Sequence, residues 1–349
     1  MGEMKKTPDS CILYGVQKVH FGREVARKLQ NSPFPMCLQA MLNYMGQNIR
    51  YAEIMTCSGA AFRQRWDKNG WNIAAVDIRF TYENPLEPFE LGFKGAGRKA
   101  VISVNANNVK SIVKQDATAL IKSELECGRP VIALGVVGPP EACIVTGYKN
   151  NGETLLGWSL FQDFWGDCGV DESGYFVKDN WWQDTQGIMC VGEDIGNLMP
   201  DKDVLKHGLM LMKTEQMSSY GIENSFYGGQ SAYEKWATAV EALSGADKIA
   251  NDVVDSQNDQ EKMLGEDRGY AADYMLLLAE RHTHLQAEFR QCARLLQDAA
   301  DCVPQMRKLR NEHGMGNKQT QMEIAALIRQ AAKHEKEACV VLEQILDKM

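Results

Sequence analysis

Apolar residues in the first part of the chain recur at helical spacing in three places. The first run extends from Cys37 to Met45 and is stopped by Gly46, after two prolines that interrupt any earlier helix. The segment 53–65 predicts a second short helix or turn, and the segment 115–127 predicts an amphipathic helix that a Gly and a Pro terminate. The pattern therefore predicts helices, with Cys37 in the first turn of one of them.

Short runs of β-branched and aromatic residues predict a sheet. The runs 142–148 and 154–160 flank Asn-Asn-Gly at 150–152, which is a strong tight-turn signal, so we expect a hairpin there. Further strands are expected at 12–21, 131–137, 174–178, 186–192 and 207–212. The first part of the chain is thus predicted to be α+β, with a mostly antiparallel sheet.

The β pattern ends after residue 213. A stretch rich in Gly, Ser and Asn follows and is typical of a linker between domains. Beyond it, apolar residues such as Leu278, Leu285 and Phe289 recur at intervals of three, four and seven, which predicts an up-and-down bundle of about four helices. The predicted organisation is an α+β domain over 1–213, a linker over 214–228 and a helical bundle over 229–349.

Composition narrows the classes of function. Hydrophobic residues make up 44% and charged residues 24%, as in globular proteins. No apolar run is long enough to span a bilayer and the start MGEMKKTPDS lacks a signal-peptide core, so we expect a cytoplasmic protein. The 10 cysteines form no CxxC pair and no Cys/His cluster, so neither a metal nor another cofactor is predicted. A net charge of -8 argues against nucleic-acid binding.

Cys37 is the first candidate for chemistry. A cysteine at a helix N-terminus lies near unpaired backbone N–H groups and the positive end of the helix dipole, and both stabilise the thiolate. A nucleophilic cysteine early in the chain, with its partner base far downstream on a strand, is the order found in papain-like enzymes. The alternative is that Cys37 only packs beneath the sheet.

The sequence around these positions resembles a known superfamily. The resemblance rests on the blocks PFPMCLQAMLNYMG, YAEIMTCSGAAFRQRW, GPPEACIVTGYKNNGETLLGWSLFQ and, more loosely, WWQDTQGIMCVGE. These are similar to the cysteine-peptidase-like superfamily of bacteriocin-processing peptidases and, within it, to the N-terminal domain of butirosin biosynthesis protein H. The resemblance covers most of residues 10–195 and implies a papain-like fold. It also implies transfer of an acyl group from a carrier-protein thioester to an aminoglycoside amine, with the cysteine as acyl acceptor.

One position departs from the pattern of the peptidases. They carry a His seven residues before the Tyr of the VTGY-like turn, and here that position is Glu141. Moving a proton from a thiol to a carboxylate costs roughly 6 kcal/mol, against about 3 kcal/mol for a His. An ionised Glu141 also raises the pKa of the thiol. Glu141 could then handle protons during transfer from an activated thioester, bind a cationic group of a substrate, or mark a domain that binds without reacting.

Other candidates lie around these two residues. Asn31 stands where the peptidases place an oxyanion-stabilising Gln, with Gln30 beside it, and loop capping is the alternative. Candidate substrate-binding residues are Gln30, Ser58, Arg63, Arg65, Trp158, Gln162 and Asp163. For the two arginines the alternative is a solvated surface position, and for Gln162 and Asp163 it is a turn.

Two hypotheses of function follow. The first is a cysteine-dependent acyltransferase or amide-processing enzyme that forms an acyl-thioester at Cys37, with a hydrolase as a close variant. The second is a non-catalytic papain-like protein that binds a small molecule or peptide. The expected partners are a small-molecule or peptide substrate, an acyl carrier protein if acyl transfer is the reaction, and a second copy through the helical domain.

Overall fold

The computed structural model describes residues 2–25, 28–104, 112–196, 199–219, 222–244 and 249–349. The chain forms two compact units, each built from separate stretches of sequence. Unit 1 contains Met1–Ile54 and Phe89–Leu198, and unit 2 contains Met55–Pro88 and Met199–Met349. The chain is α+β, with an antiparallel sheet region and a C-terminal helical region.

The helices and strands are numbered in chain order over the described residues. The strands are β1 Met4–Thr7, β2 Ser10–Leu13, β3 Arg23–Val25, β4 Lys28–Gln30, β5 Arg65–Asp67, β6 Arg98–Val104, β7 Val131–Leu134, β8 Ala142–Lys149, β9 Thr154–Ser159, β10 Gly169–Val170, β11 Phe176–Asp179, β12 Gly187–Asp194, β13 Gln216–Ser219 and β14 Ile222–Gly228. The α-helices are α1 Pro33–Tyr44, α2 Tyr51–Cys57, α3 Glu87–Gly95, α4 Lys114–Glu126, α5 Asp201–Lys213, α6 Gly229–Glu241, α7 Asn251–Arg281, α8 Gln286–Ala300, α9 Cys302–His313 and α10 Lys318–Lys348.

Unit 1 is built on one antiparallel sheet. Among the described residues its main strand order is β10-β11-β9-β8-β7-β12-β6, with β2 pairing to both β1 and β8. Strands β7 and β8 are buried almost throughout, and α1 packs against both of them. Strands β3 and β4 form a separate hairpin. The mostly antiparallel sheet predicted from the sequence is confirmed.

The turn between β8 and β9 shows why the hairpin could be predicted. Asn150 and Asn151 adopt positive φ values of 51° and 55°, and Gly152 has φ 97°. Asn and Gly are the residues that occupy this left-handed region most readily. The strands that the turn joins pair from Lys149 opposite Thr154, with a register shift between Val145 and Gly147.

Helix α1 begins earlier than the sequence predicted. Pro33 and Pro35 stand inside its first turn, where a missing N–H costs nothing because that N–H has no partner in the helix. The helix ends at Tyr44, and Gly46 follows with φ 85°. Cys37 is therefore the fifth residue of α1 and lies in its second turn, so the placement in the first turn is wrong.

Two predictions between 207 and 228 also differ from the structure. The expected strand 207–212 is part of α5, in which Val204, Leu205, Gly208, Leu211 and Met212 are buried at helical spacing. Aspartates in its first turn and Lys213 in its last suit the helix dipole. The expected linker contains the hairpin β13–β14, and β14 pairs with β5.

The helical region itself is confirmed, with α6 to α10 forming the larger part of unit 2. Its core also includes residues from the stretch 55–88, which the sequence assigned to the first domain. Trp66 belongs to the same buried cluster as Tyr233, Trp236 and Leu264. Among the described residues, no helix combines the length and the hydropathy that crossing a bilayer requires.

Candidate functional site

The start of α1 offers few hydrogen-bond donors to a substrate. Pro33 and Pro35 have no N–H, and the N–H of Met36 donates to the carbonyl oxygen of Ser32 at 3.2 Å. Cys37 comes after these residues, where backbone N–H groups bond within the helix. Of the first four residues, only Phe34 is left to present an N–H outside the helix. The helix start is therefore a poor oxyanion hole.

The thiol of Cys37 lies in the interior of unit 1. Its side chain has no exposed surface, and it sits in a helix buried on nearly all sides. Burial raises the pKa of Cys37 well above its usual value, and the thiol of Cys143 and the carboxyl group of Glu141 raise it further. Because the thiolate is the nucleophilic form, this environment disfavours the reactive form of Cys37.

Glu141 occupies the turn that leads into β8. Its backbone N–H donates to the carbonyl oxygen of Pro139 at 2.6 Å, and its own carbonyl accepts from Gly135 at 3.2 Å. Unit 1 contains one histidine in its sequence, His20, whose Nδ1 lies 3.0 Å from the carbonyl oxygen of Phe21. The Glu141 carboxyl group lies near enough to Cys37 to raise the pKa of its thiol.

Gln30 and Asn31 precede α1 by a few positions and differ in how their polar groups are used. Asn31 accepts the N–H of Gly22 through Oδ1 at 2.9 Å, which is the loop-capping role considered as the alternative. Gln30 has 1% of its surface exposed, and its Oε1 has no hydrogen-bond partner among the described residues. A buried amide oxygen without a partner is uncommon and costs stability, so Gln30 stays a candidate for ligand binding.

The candidates on and after β9 hold the following loop in place. The Trp158 indole donates to the carbonyl oxygen of Val16 at 3.0 Å. Gln162 accepts from the N–H of Ser159 at 3.1 Å and donates to the carbonyl of Gly174 at 3.0 Å. The exposed Asp163 lies 3.6 Å from Lys18 Nζ, in a pair that solvent weakens. Their polar groups are used within unit 1.

Ser58, Arg63 and Arg65 belong to unit 2 and are buried there. Ser58 Oγ donates to the carbonyl of Met55 at 3.3 Å, and Arg63 Nε donates to Asp267 Oδ2 at 3.1 Å. Neither arginine is solvated, since Arg63 is 4% exposed and Arg65 has no exposed surface. The sequence could not show this because Asp267 lies about 200 positions downstream of Arg63.

Arg65 serves the backbone of its own stretch. Its guanidinium donates to the carbonyl oxygens of Phe80, Gln64 and Thr81 at 3.1, 2.7 and 2.8 Å. Burial, followed by the nearby charge of Arg63, lowers the pKa of Arg65 to about 9. All three guanidinium nitrogens of Arg65 donate to backbone carbonyls in the interior. We therefore assign Arg65 a structural role.

A groove of about 600 Å³ opens at the end of the sheet where β8 begins. Its lining includes Gly135, Pro140, Trp165, Lys178 and Asp184, and Pro140 immediately precedes Glu141. Trp165 is 53% exposed. Sequence reasoning missed Trp165 and Asp184, although the aromatic run FQDFW at 161–165 was a signal for the first.

The charges around this groove are unequal. Asp167, which also lines the groove, has Oδ2 at 2.8 Å from Lys178 Nζ, so this pair is nearly neutral. Asp184 is exposed and adds a negative charge, and Glu141 stands beside the groove in sequence. The groove therefore favours a cationic group over an anionic one.

Among the described residues, no group of three or more His, Cys, Asp and Glu side chains is placed to hold a metal ion. No protein-family model matches the chain, and no curated protein matches it.

Proposed function

We propose that unit 1 is a papain-like binding module that holds a cationic small molecule, or a basic group of a peptide, in the groove beside Glu141. In this proposal Cys37 is not a nucleophile. Support for the papain-like class comes from the resemblance of the sequence blocks and from the packing of α1 against an antiparallel sheet. The second hypothesis from the sequence is thereby preferred to the first.

The burial of Cys37 carries the non-catalytic part of the proposal. An ordinary thiol with a pKa of about 8.5 is only a few per cent ionised at pH 7, and each further unit lowers that fraction about tenfold. The pKa of Cys37 is raised well above the usual value by burial, Cys143 and Glu141. A papain-like enzyme needs the opposite, a thiolate stabilised by a neighbouring cation.

Acyl transfer through Cys37 is the competing proposal, and thiol reactivity separates the two. We would measure the rate of iodoacetamide labelling between pH 7 and 9 by peptide mass spectrometry, with the exposed Cys127 as internal reference. The binding-module proposal expects Cys37 to react at least about tenfold more slowly than Cys127. Labelling of Cys37 faster than Cys127, with a pH profile that shifts in Glu141→Gln, would instead establish an activated nucleophile.

Binding would be measured with spermidine, a polyamine, as the cationic probe. We expect calorimetry to show affinity that falls about fivefold or more in Asp184→Asn, because Asp184 lines the groove, and by a smaller factor in Glu141→Gln, because Glu141 only follows the lining residue Pro140. Cys37→Ala should bind as the native protein does. Glu172→Gln is the matched control, since Glu172 is an exposed acid elsewhere in unit 1. Equal affinity in all variants would overturn the cation-binding proposal.

A further inference from the structure

Four aromatic rings of unit 1 contact one another at the surface. Phe21 lies edge-on to Phe161 with ring centres 5.0 Å apart, and its ring centre is 5.9 Å from that of Phe164. Phe161 also contacts Phe164 at 5.6 Å and Trp165 at 6.0 Å. We call these four residues the aromatic ridge. It joins two stretches of chain that are about 140 positions apart.

Much of the ridge faces solvent. Phe21 is 36% exposed, Phe164 62% and Trp165 53%. Isolated exposed apolar side chains are common, but neighbouring aromatic rings in mutual contact are not, because each loses the favourable free energy of burial. Aromatic rings grouped in this way are a frequent feature of binding sites.

The ridge is continuous with the groove beside Glu141. Phe161 packs directly on Gly138, where a Cβ atom would lie 2.7 Å from the Cβ of Phe161. Gly138 lines the groove, and its N–H donates to Asp167 Oδ2 at 3.3 Å. Trp165 belongs to both features, since it contacts Phe161 and lines the groove. A ligand in the groove would therefore have an apolar surface next to it.

The size of the ridge favours a small molecule over a protein. An aromatic side chain covers roughly 150–250 Å², so the exposed parts of these rings amount to an area on the order of 300 Å². A stable protein interface takes about 800 Å² from each partner. An area of this size beside a groove instead suits the apolar part of a ligand of modest size.

We propose that the aromatic ridge binds the aromatic or aliphatic body of a small molecule whose polar end occupies the adjoining groove. This inference rests on the proposed function and specifies its ligand as amphipathic. Phe164 and Trp165 form the surface that contacts the ligand. Phe161 packs against Phe164 and against Gly138 and holds this surface in place.

The test uses Nile red, a neutral apolar dye whose fluorescence rises on binding to apolar surfaces. The protein is compared with the double variant Phe164→Ser, Trp165→Ser. The matched control is Val113→Ser, because Val113 is also in unit 1 and is 63% exposed, close to the value of Phe164. All replaced side chains are at the surface, and circular dichroism verifies that each variant is folded. We expect the affinity for Nile red to fall about tenfold in the double variant and to stay unchanged in the control.

Three results would overturn the proposal. They are absence of Nile red binding to the native protein, equal binding by the double variant, and a native dimer that becomes monomeric in the double variant. The last would show that a second copy covers the ridge. Failure of the proposed function would look different from failure of this inference. In that case the affinity for spermidine would be the same in the Glu141 and Asp184 variants as in the native protein, while the affinity for Nile red would still depend on Phe164 and Trp165.

Discussion

The buried ion pair between α7 and α10 supplies a sharp test of how unit 2 is held together. Arg268 and Glu335 have no exposed side-chain surface, and Arg268 Nε donates to Glu335 Oε2 at 2.5 Å. Arg268 Nη1 also donates to the carbonyl oxygens of Ala61 and Arg63, at 2.9 and 3.0 Å. Tyr233 donates to the same carboxylate oxygen at 2.7 Å. One guanidinium thus joins two helices to the stretch that begins unit 2.

Replacing Arg268 with Met keeps most of the side-chain volume and removes the charge. Glu335 then stays buried without its cation, and breaking a buried pair in this way costs about 3–5 kcal/mol. Two carbonyl oxygens lose a donor as well, at about 1–3 kcal/mol for each group left unsatisfied. Since total stabilities run from about 5 to 15 kcal/mol, we expect a large fall in the free energy of unfolding.

Urea unfolding followed by circular dichroism measures this fall, with two further variants for comparison. Arg329→Met is the matched control, because Arg329 is 38% exposed in its pairs with Glu234 and Glu241 and should cost about 1 kcal/mol or less. Adding Glu335→Gln to Arg268→Met should restore about 2 kcal/mol or more, since the uncompensated charge is gone. An Arg268→Met that is no less stable than Arg329→Met would refute the reasoning.

Two further predictions concern single positions. Burial, which outweighs the nearby charge of Arg63, raises the pKa of Asp267 from 3.8 to about 7, so the folded state holds a proton that the unfolded state releases in this range. The free energy of unfolding should therefore fall as pH rises from about 4 to 7, by up to about 1.4 kcal/mol per pH unit. In urea titrations the Asp267→Asn variant should show a weaker dependence of this free energy on pH. The same pH dependence in the variant and the native protein would contradict the raised pKa of Asp267. Gly138 has φ 78°, and the methyl group of Gly138→Ala would lie 2.7 Å from the Cβ of Phe161. The melting temperature should therefore drop by several degrees or more. An unaltered melting curve would show that the turn accommodates the methyl group without strain.

Local signals account for the parts of the fold that the sequence predicted. Helix α4 ends at Glu126, before Cys127 and the positive φ of Gly128, and the β8–β9 hairpin is made by Asn150, Asn151 and Gly152. Each depends on residues within a few positions of one another. Patterns of that kind can be recognised without knowledge of the rest of the molecule.

The candidate site depended on long-range contacts and was harder to predict. The prolines before Cys37 looked like the end of an earlier structure, but Pro33 and Pro35 open α1 and leave the thiol in its second turn. Arg63 is buried because it pairs with the distant Asp267, and Arg65 is buried because it donates to backbone carbonyls. Neither kind of partner can be identified from the spacing of residues in the sequence. The expected strand at 207–212 failed because an apolar run of that length suits a strand or one side of a helix equally well.

The part of unit 2 that is made first, in which residues 55–67 are buried, also constrains the order in which the chain can fold during synthesis. Gln64 and Arg65 leave the ribosome about 200 residues before their partner Gln260, which at about 5–20 residues per second is a delay of roughly 10–40 seconds. Through that interval, residues such as Trp66 have no helical core to enter. Unit 2 can be completed only after α10, with Glu335, has been made. We therefore expect the nascent chain to leave Trp66 exposed for longer than any later residue of the unit 2 core.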